Sequence, residues 1–143
     1  MEVLRLLRPW QWVKNLFVFL PMFFGRRMGD WDCWVASLVV FCAMCLVASA
    51  IYCLNDIVDV DENRTHPRKR FRPVAKGTVS CKQAAFVSVA LVVGGVGAVF
   101  ALSPLAHALD IVAIIAAYYV MNVAYCLRLK LRIFFCRHDF SRF

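Results

Sequence analysis

The residues best equipped for chemistry lie in one stretch, Asn55-Asp56-Ile57-Val58-Asp59-Val60-Asp61-Glu62-Asn63-Arg64, followed by His66-Pro67-Arg68-Lys69-Arg70-Phe71-Arg72-Pro73. Four acids and six bases, counting His66, fall within the 18 residues 55–72. If a helix runs through them at about 100° per residue, with Asn55 as zero, Asp59 lies at about 40°, Asn63 at about 80° and Asp56 at about 100°. Glu62 falls at the edge of this stripe and Asp61 on the opposite side. Carboxylates crowded on one face raise one another's pKa unless a cation sits among them. Oxygen donors of this kind suit a hard cation, and magnesium fits best because it completes its shell with water and substrate phosphates. Asn55, Asp56, Asp59 and Asn63 are the candidate ligands. The basic residues that follow, Lys69, Arg70 and Arg72, suit phosphate oxygens. A metal beside a basic clamp is the chemistry of a diphosphate site. The plainer alternative is a solvated loop whose acids and bases pair with each other.

The elements that must position this stretch are membrane helices. Hydrophobic residues make up 62% of the 143, charged residues 18%, and the mean hydropathy is +0.67. Soluble domains average about 45–50% apolar and about 25% charged. Aromatics at 14% exclude a disordered chain. Seven cysteines, an odd number, argue against a disulfide scaffold. Residues 33–54 carry no charge over 22 positions, enough for a hydrocarbon core that needs about 20. A second uncharged run, 83–109, is punctuated by Ser103-Pro104 and reads as helices over 84–102 and 105–127 joined by a short turn. Between Lys14 and Arg26 there are 11 uncharged residues, Pro21 among them. That segment spans only if it begins near Pro9, with Trp10 and Trp12 at the interface and Lys14 snorkelling. The expectation is an all-α polytopic bundle of about four spans. A signal peptide is the rival reading of the N-terminus, but no small-x-small cleavage site precedes Gly29.

Four spans with the N-terminus inside put fifteen of the seventeen Lys and Arg on one side, leaving Arg26 and Arg27 outside. By the positive-inside rule the 56–82 loop is then cytoplasmic. The net charge of +8 therefore has a topological cause, and nucleic-acid binding is not implied.

The acidic stretch resembles the first aspartate motif of the UbiA prenyltransferase superfamily, Asn-Asp-x-x-Asp-x-x-x-Asp. Asn55, Asp56 and Asp59 match it, and Asn63 stands where the pattern ends in aspartate. Arg72-Pro73-Val74-Ala75-x-Gly77 resembles the segment that follows the motif in many members. His66-Pro67-x-Lys69 and the opening Leu7-Arg8-Pro9-x-Gln11-Trp12-x-Lys14-Asn15 resemble a narrower branch, the decaprenyl-phosphate phosphoribosyltransferases. The resemblance runs from about Leu4 to Lys130. It implies the first part of a nine-helix bundle in a bacterial inner membrane, with Mg2+ as cofactor. It also implies transfer of 5-phosphoribosyl from phosphoribosyl diphosphate to a polyprenyl phosphate, releasing diphosphate. Asp56 and Asp59 would hold the metal, while Lys14, Asn15, Lys69, Arg70 and Arg72 would reach the phosphates. The lipid phosphate needs no general base, so His66 reads as structural. The superfamily also carries a second acidic motif in a later loop, which this sequence lacks. Residues 131–143 match no part of the pattern, show no helical pattern, and suggest a frameshift or a truncated gene product.

Two rivals stay open. One is a prenyltransferase that moves an isoprenoid from a prenyl diphosphate to an aromatic or quinone precursor. The other is a non-enzymatic membrane protein whose basic loop binds anionic lipid of the bilayer. Several other features read as packing. Gly94-Gly95-x-Gly97 lies mid-span, where small residues let helices approach, and Cys42-x-x-Cys45 has no second ligand pair. Asp110 is best explained by pairing with His107 or by local hydration. Asn122 and the tyrosines at 118, 119 and 125 could equally line a cavity or pack.

Overall fold

The computed structural model describes the backbone of residues 2–140 and the side chains of residues 2–128 apart from Ala106. Among these residues there is no strand. In chain order the elements are α1 (Glu2–Leu7), a 3₁₀ segment (Pro9–Phe19), α2 (Leu20–Phe24), α3 (Trp31–Val58) and α4 (Val60–Thr65). A 3₁₀ turn (Lys69–Phe71), α5 (Pro73–Lys76), α6 (Cys81–Leu102) and α7 (Leu105–Phe140) complete it. Three helical stretches, Trp31–Val58, Cys81–Leu102 and His107–Arg128, are long and apolar enough to cross a membrane. The molecule is an all-α, multi-pass integral membrane protein.

The N-terminal segment 9–24, expected as a fourth span, is not among these three, and it differs in conformation from a plain helix. Pro21 has no N–H to give to the Phe17 carbonyl four residues back, and its ring would crowd that carbonyl. The Leu20 N–H takes it instead, three residues on, which is the 3₁₀ pattern. At about 2.0 Å per residue the 3₁₀ segment is about 22 Å long, and α2 adds about 8 Å. The path of about 30 Å matches the hydrocarbon thickness, where an α-helix of the same residues would fall short. Side-chain contacts run antiparallel along α3: Trp12 with Ser49 at 3.0 Å, Asn15 with Cys45 at 3.3 Å and Phe19 with Phe41 at 5.6 Å between ring centres.

α3 is the axis of the bundle. Asp30 caps it, its Oδ1 accepting from the N–H groups of Asp32 at 3.1 Å and Cys33 at 3.4 Å. Val39, Ala43, Val47 and Ile51 form the main core with Val99, Ala108 and Ile115. α6 begins at a capping box in which Ser80 and Gln83 serve each other's backbone N–H groups. It then packs closely on α3. A side chain at Gly95 would stand 3.3 Å from the Ala43 carbonyl, whereas Gly94 and Gly97 face open space. Of the small-residue run, only Gly95 makes the close approach. Ser88 Oγ donates to the Ala50 carbonyl at 2.9 Å, tying the same two helices.

α7 continues without a break past residue 130 to Phe140, correcting the expectation that the ending has no helical pattern. No Gly or Pro follows Pro104, so nothing interrupts the ladder. Residues 141–143 lie outside the described residues. His107 and Asp110 are both exposed, and among the described residues no ion pair joins them.

Candidate active site

A small apolar cluster at the loop end of the bundle sets the geometry of the charged residues. Leu6 of α1, Cys53 of α3, Val74 of α5, Val79 just before α6 and Ala84 of α6 are buried together. Each carries a functional neighbour with it. Leu6 brings in Arg8, Cys53 brings in Asp56, and Val74 brings in Arg72.

Arg8 is the corner between α1 and the 3₁₀ segment. Pro9 disfavours the right-handed helical conformation at the residue before it and favours an extended one, yet Arg8 adopts φ 51°, ψ 60°. This left-handed geometry costs a non-glycine residue about 1–2 kcal/mol and persists where neighbours over-determine it. Here they do. Ser49 Oγ donates to the Leu7 carbonyl at 2.8 Å, and Trp12 Nε1 donates to that hydroxyl at 3.0 Å. The Gln11 N–H donates to the Arg8 carbonyl at 2.9 Å. The guanidinium lies 5.2 Å from the centre of the Tyr52 ring.

The other cation is placed by α5. Arg72 is extended, as a residue before proline prefers. Pro73 opens α5, and Gly77 closes it with φ 82°, its N–H donating to the Val74 carbonyl at 3.1 Å. The Arg72-Pro73-Val74-Ala75-x-Gly77 segment is thus a one-turn helix that inserts Val74 into the apolar cluster and leaves Arg72 at its rim.

Both cations converge on Asp56, which is 1% exposed. Its Oδ1 accepts from Arg8 Nη2 at 2.7 Å and from Arg72 Nη1 at 3.0 Å. Arg72 Nη1 also donates to Asn63 Oδ1 at 3.3 Å. Burial lowers the Arg72 pKa from its ordinary value, and the Arg8 charge adds to this, against the opposing pull of Asp56 and Asp59. An open cleft of about 400 Å³ lies over the group, lined by Arg5, Arg8, Trp10, Asp56, Arg68, Phe71, Arg72 and Pro73. Its lining carries four guanidinium groups and one carboxylate, and Arg5 also pairs with Glu2 at 3.5 Å.

The acidic stripe is present with a soft break. α3 ends at Val58 and α4 starts at Val60, yet Asp59 N–H still donates to Asn55 O at 3.0 Å and Asn63 N–H to Asp59 O at 2.8 Å. Asn55, Asp59 and Asn63 therefore keep a common side, while Asp61 is exposed and pairs with Arg64 at 3.7 Å. Not every residue assigned to phosphate binding joins Asp56. Asn15 donates to Cys45 Sγ, eleven positions down α3 from Asp56 and so about 16 Å away along the helix. Lys14 is exposed beside it. Lys69 and Arg70 are exposed on the 3₁₀ turn, with the Arg70 guanidinium 4.9 Å from the Phe71 ring centre. Only Arg72 of that set is engaged with Asp56. His66 is structural: its Nδ1 accepts from the Arg68 and Lys69 N–H groups at 3.2 and 3.4 Å, starting the turn.

Sequence reasoning did not assign Arg8, Arg5 or Arg68 to the site. Arg8 was visible as part of the opening motif, but its bond to Asp56 crosses 48 residues.

Among the described residues no three His, Cys, Asp or Glu come together as a ready metal site. Two oxygens nonetheless suit a hard cation. Asp56 Oδ2 and Asn55 Oδ1 are buried without a hydrogen-bond partner, and both are acceptors of the type magnesium takes. Asn63 Oδ1 accepts from Arg72, and its Nδ2 is buried without a hydrogen-bond partner.

Residues 15–137 match the UbiA prenyltransferase family. The chain belongs to that family. Among its relatives, the decaprenyl-phosphate phosphoribosyltransferase of Mycobacterium tuberculosis is 36% identical over 132 residues, covering 90% of this chain and 42% of that protein. Nodulation protein NoeC of Azorhizobium caulinodans is 38% identical over 96 residues, 64% of this chain and 30% of the relative. The 4-hydroxybenzoate octaprenyltransferase of Alkalilimnicola ehrlichii is 33% identical over 125 residues, 81% of this chain and 39% of the relative. The chain spans about two fifths or less of the length of these UbiA relatives. The match includes residues 131–137 and the whole acidic stretch.

Proposed function

We propose that this chain, over residues 1–130, supplies the arginine-lined end of a transferase site that moves 5-phosphoribosyl from phosphoribosyl diphosphate to a polyprenyl phosphate, releasing diphosphate. The observation that carries the reading is the cleft lined by Arg5, Arg8, Arg68, Arg72 and the buried Asp56. A diphosphate brings several negative oxygens, and four guanidinium groups are suited to hold it. Similarity to phosphoribosyltransferases over 90% of the chain adds weight to phosphoribosyl as the group transferred.

Asn55 Oδ1, Asp56 Oδ2 and Asp59 would hold Mg2+ on the stripe. When bound, the ion supplies positive charge that stabilises the diphosphate leaving group. Arg8 and Arg72 orient Asp56 by occupying its Oδ1, which leaves Oδ2 for the cation. They also face the cleft, where they bind phosphate oxygens directly. Lys69 and Arg70, exposed at the rim, draw in anions from solution. The acceptor phosphate is already anionic, so no side chain has to remove a proton. The basic bias of the loop supports a cytoplasmic location for this end, and the family resemblance supports a bacterial inner membrane; there a soluble diphosphate would reach it.

The test supplies membranes containing the chain with labelled phosphoribosyl diphosphate and polyprenyl phosphate, or with a prenyl diphosphate and 4-hydroxybenzoate. Magnesium-dependent label in the lipid fraction from the first pair is the expected result. Consumption of the second pair alone identifies a prenyltransferase, and turnover of neither, with no binding of inorganic diphosphate either, leaves anionic-lipid binding for the basic loop.

A further inference from the structure

One face of α3 holds Arg8 along its whole length. Ser49, Tyr52 and Asp56 follow one another at spacings of three and four residues, so their side chains share that face. Ser49 Oγ donates to the Leu7 carbonyl at 2.8 Å and fixes the backbone of the corner. Asp56 Oδ1 accepts from Arg8 Nη2 at 2.7 Å and fixes one end of the guanidinium. Between them lies the half-buried Tyr52, with Arg8 Cζ over its ring at 5.2 Å from the centre. That distance is within the range at which a cation is attracted to the negative face of an aromatic ring. A guanidinium tied at one nitrogen can rotate about that bond, and a ring beneath it restricts the rotation. The N–H groups that Asp56 does not occupy then keep a fixed direction at the cleft that Arg8 lines. Tyr52 itself does not line the cleft, so its influence there passes through Arg8.

We propose that Tyr52 is a positioning residue for anion binding, its ring ordering the Arg8 guanidinium before a phosphate arrives. The proposal rests on the diphosphate-site reading and deepens it. Immobilising a long side chain at the moment of binding costs affinity. A ring already beneath the guanidinium removes part of that cost in advance. The phenolic hydroxyl has no share in this, because the attraction belongs to the ring face.

The test uses the purified full chain in detergent, with inorganic diphosphate in EDTA as the probe. Tyr52→Phe keeps the ring and binds within about twofold of wild type, whereas Tyr52→Leu binds about fivefold more weakly. In an Arg8→Gln background, Tyr52→Leu causes no further loss. A second series places phenylalanine at position 52 with progressively more fluorine on its ring. Fluorine draws electron density from the ring face and leaves its shape, so these proteins decide the matter even if Tyr52→Leu does not fold. Affinity is expected to fall stepwise with fluorine content. Affinity that is flat across the fluorinated series overturns the proposal and leaves the diphosphate-site reading intact. Tighter binding in Tyr52→Leu, or an equal loss with and without Arg8, does the same. Wild type that binds no diphosphate overturns the underlying reading together with this proposal.

Discussion

The loop end of the bundle and the outer faces of α6 and α7 are built on opposite terms. At the loop end, Asp56, Arg8, Arg72, Ser49 and Trp12 are each held by named polar partners over a small apolar cluster. On α6 and α7, large apolar side chains stand outward, Phe86 at 76% exposed and Ile114 at 67%. In water such a surface would demand cover, but in a bilayer lipid tails or neighbouring helices satisfy it without particular partners. One region is specified residue by residue and the other by composition, so equal substitutions should have very unequal effects.

The largest effect belongs to Asp56. Its removal leaves two guanidinium groups facing each other in a half-buried setting, and breaking such a pair costs about 3–5 kcal/mol. Asp56→Ala should lower the unfolding midpoint in detergent accordingly; an unchanged midpoint would mean the ion pairs do not hold the corner. Arg8→Met comes next. Arg72 remains to neutralise Asp56, so the expected loss is that of one charged hydrogen bond, about 1.5–3 kcal/mol, read from the same unfolding curves. Ser49→Ala should cost about 1–2 kcal/mol, since it strands the Trp12 indole N–H and one acceptor position of the Leu7 carbonyl. Its signature beyond stability is a shift in Trp12 fluorescence as the indole loses its partner. Phe86→Ala and Ile114→Ala mark the other side of the comparison, with changes within about 0.5 kcal/mol in the same assay. A loss at Phe86 comparable to that at Ser49 would show that α6 has a defined partner on that face.

The same contrast explains what the sequence disclosed. Membrane helices are legible because uncharged length and hydropathy decide them, and α3, α6 and the start of α7 appear where the apolar runs place them. The acidic stripe was legible because it follows helical spacing, which survives the break at Asp59. Arg8 was not, since its role depends on a left-handed corner and a contact with a residue 48 positions away. Asn15 lies apart from Asp56 for a related reason. The 3₁₀ segment climbs about 2.0 Å per residue in place of about 1.5 Å, so residues a few positions past Pro9 lie deep along α3 and far from the loop end. The helical tail was missed because its aromatic and basic residues hide the absence of any helix breaker.

The central claim is that Arg8 and Arg72, converging on Asp56, form an anion receptor for diphosphate. Calorimetric titration of inorganic diphosphate into wild type and into the Arg8→Gln, Arg72→Gln double variant, in detergent and EDTA at constant ionic strength, tests it most directly. The account predicts saturable binding to wild type and at least about a tenfold loss in the double variant, the equivalent of one charged hydrogen bond. Equal affinity in the two proteins would contradict it.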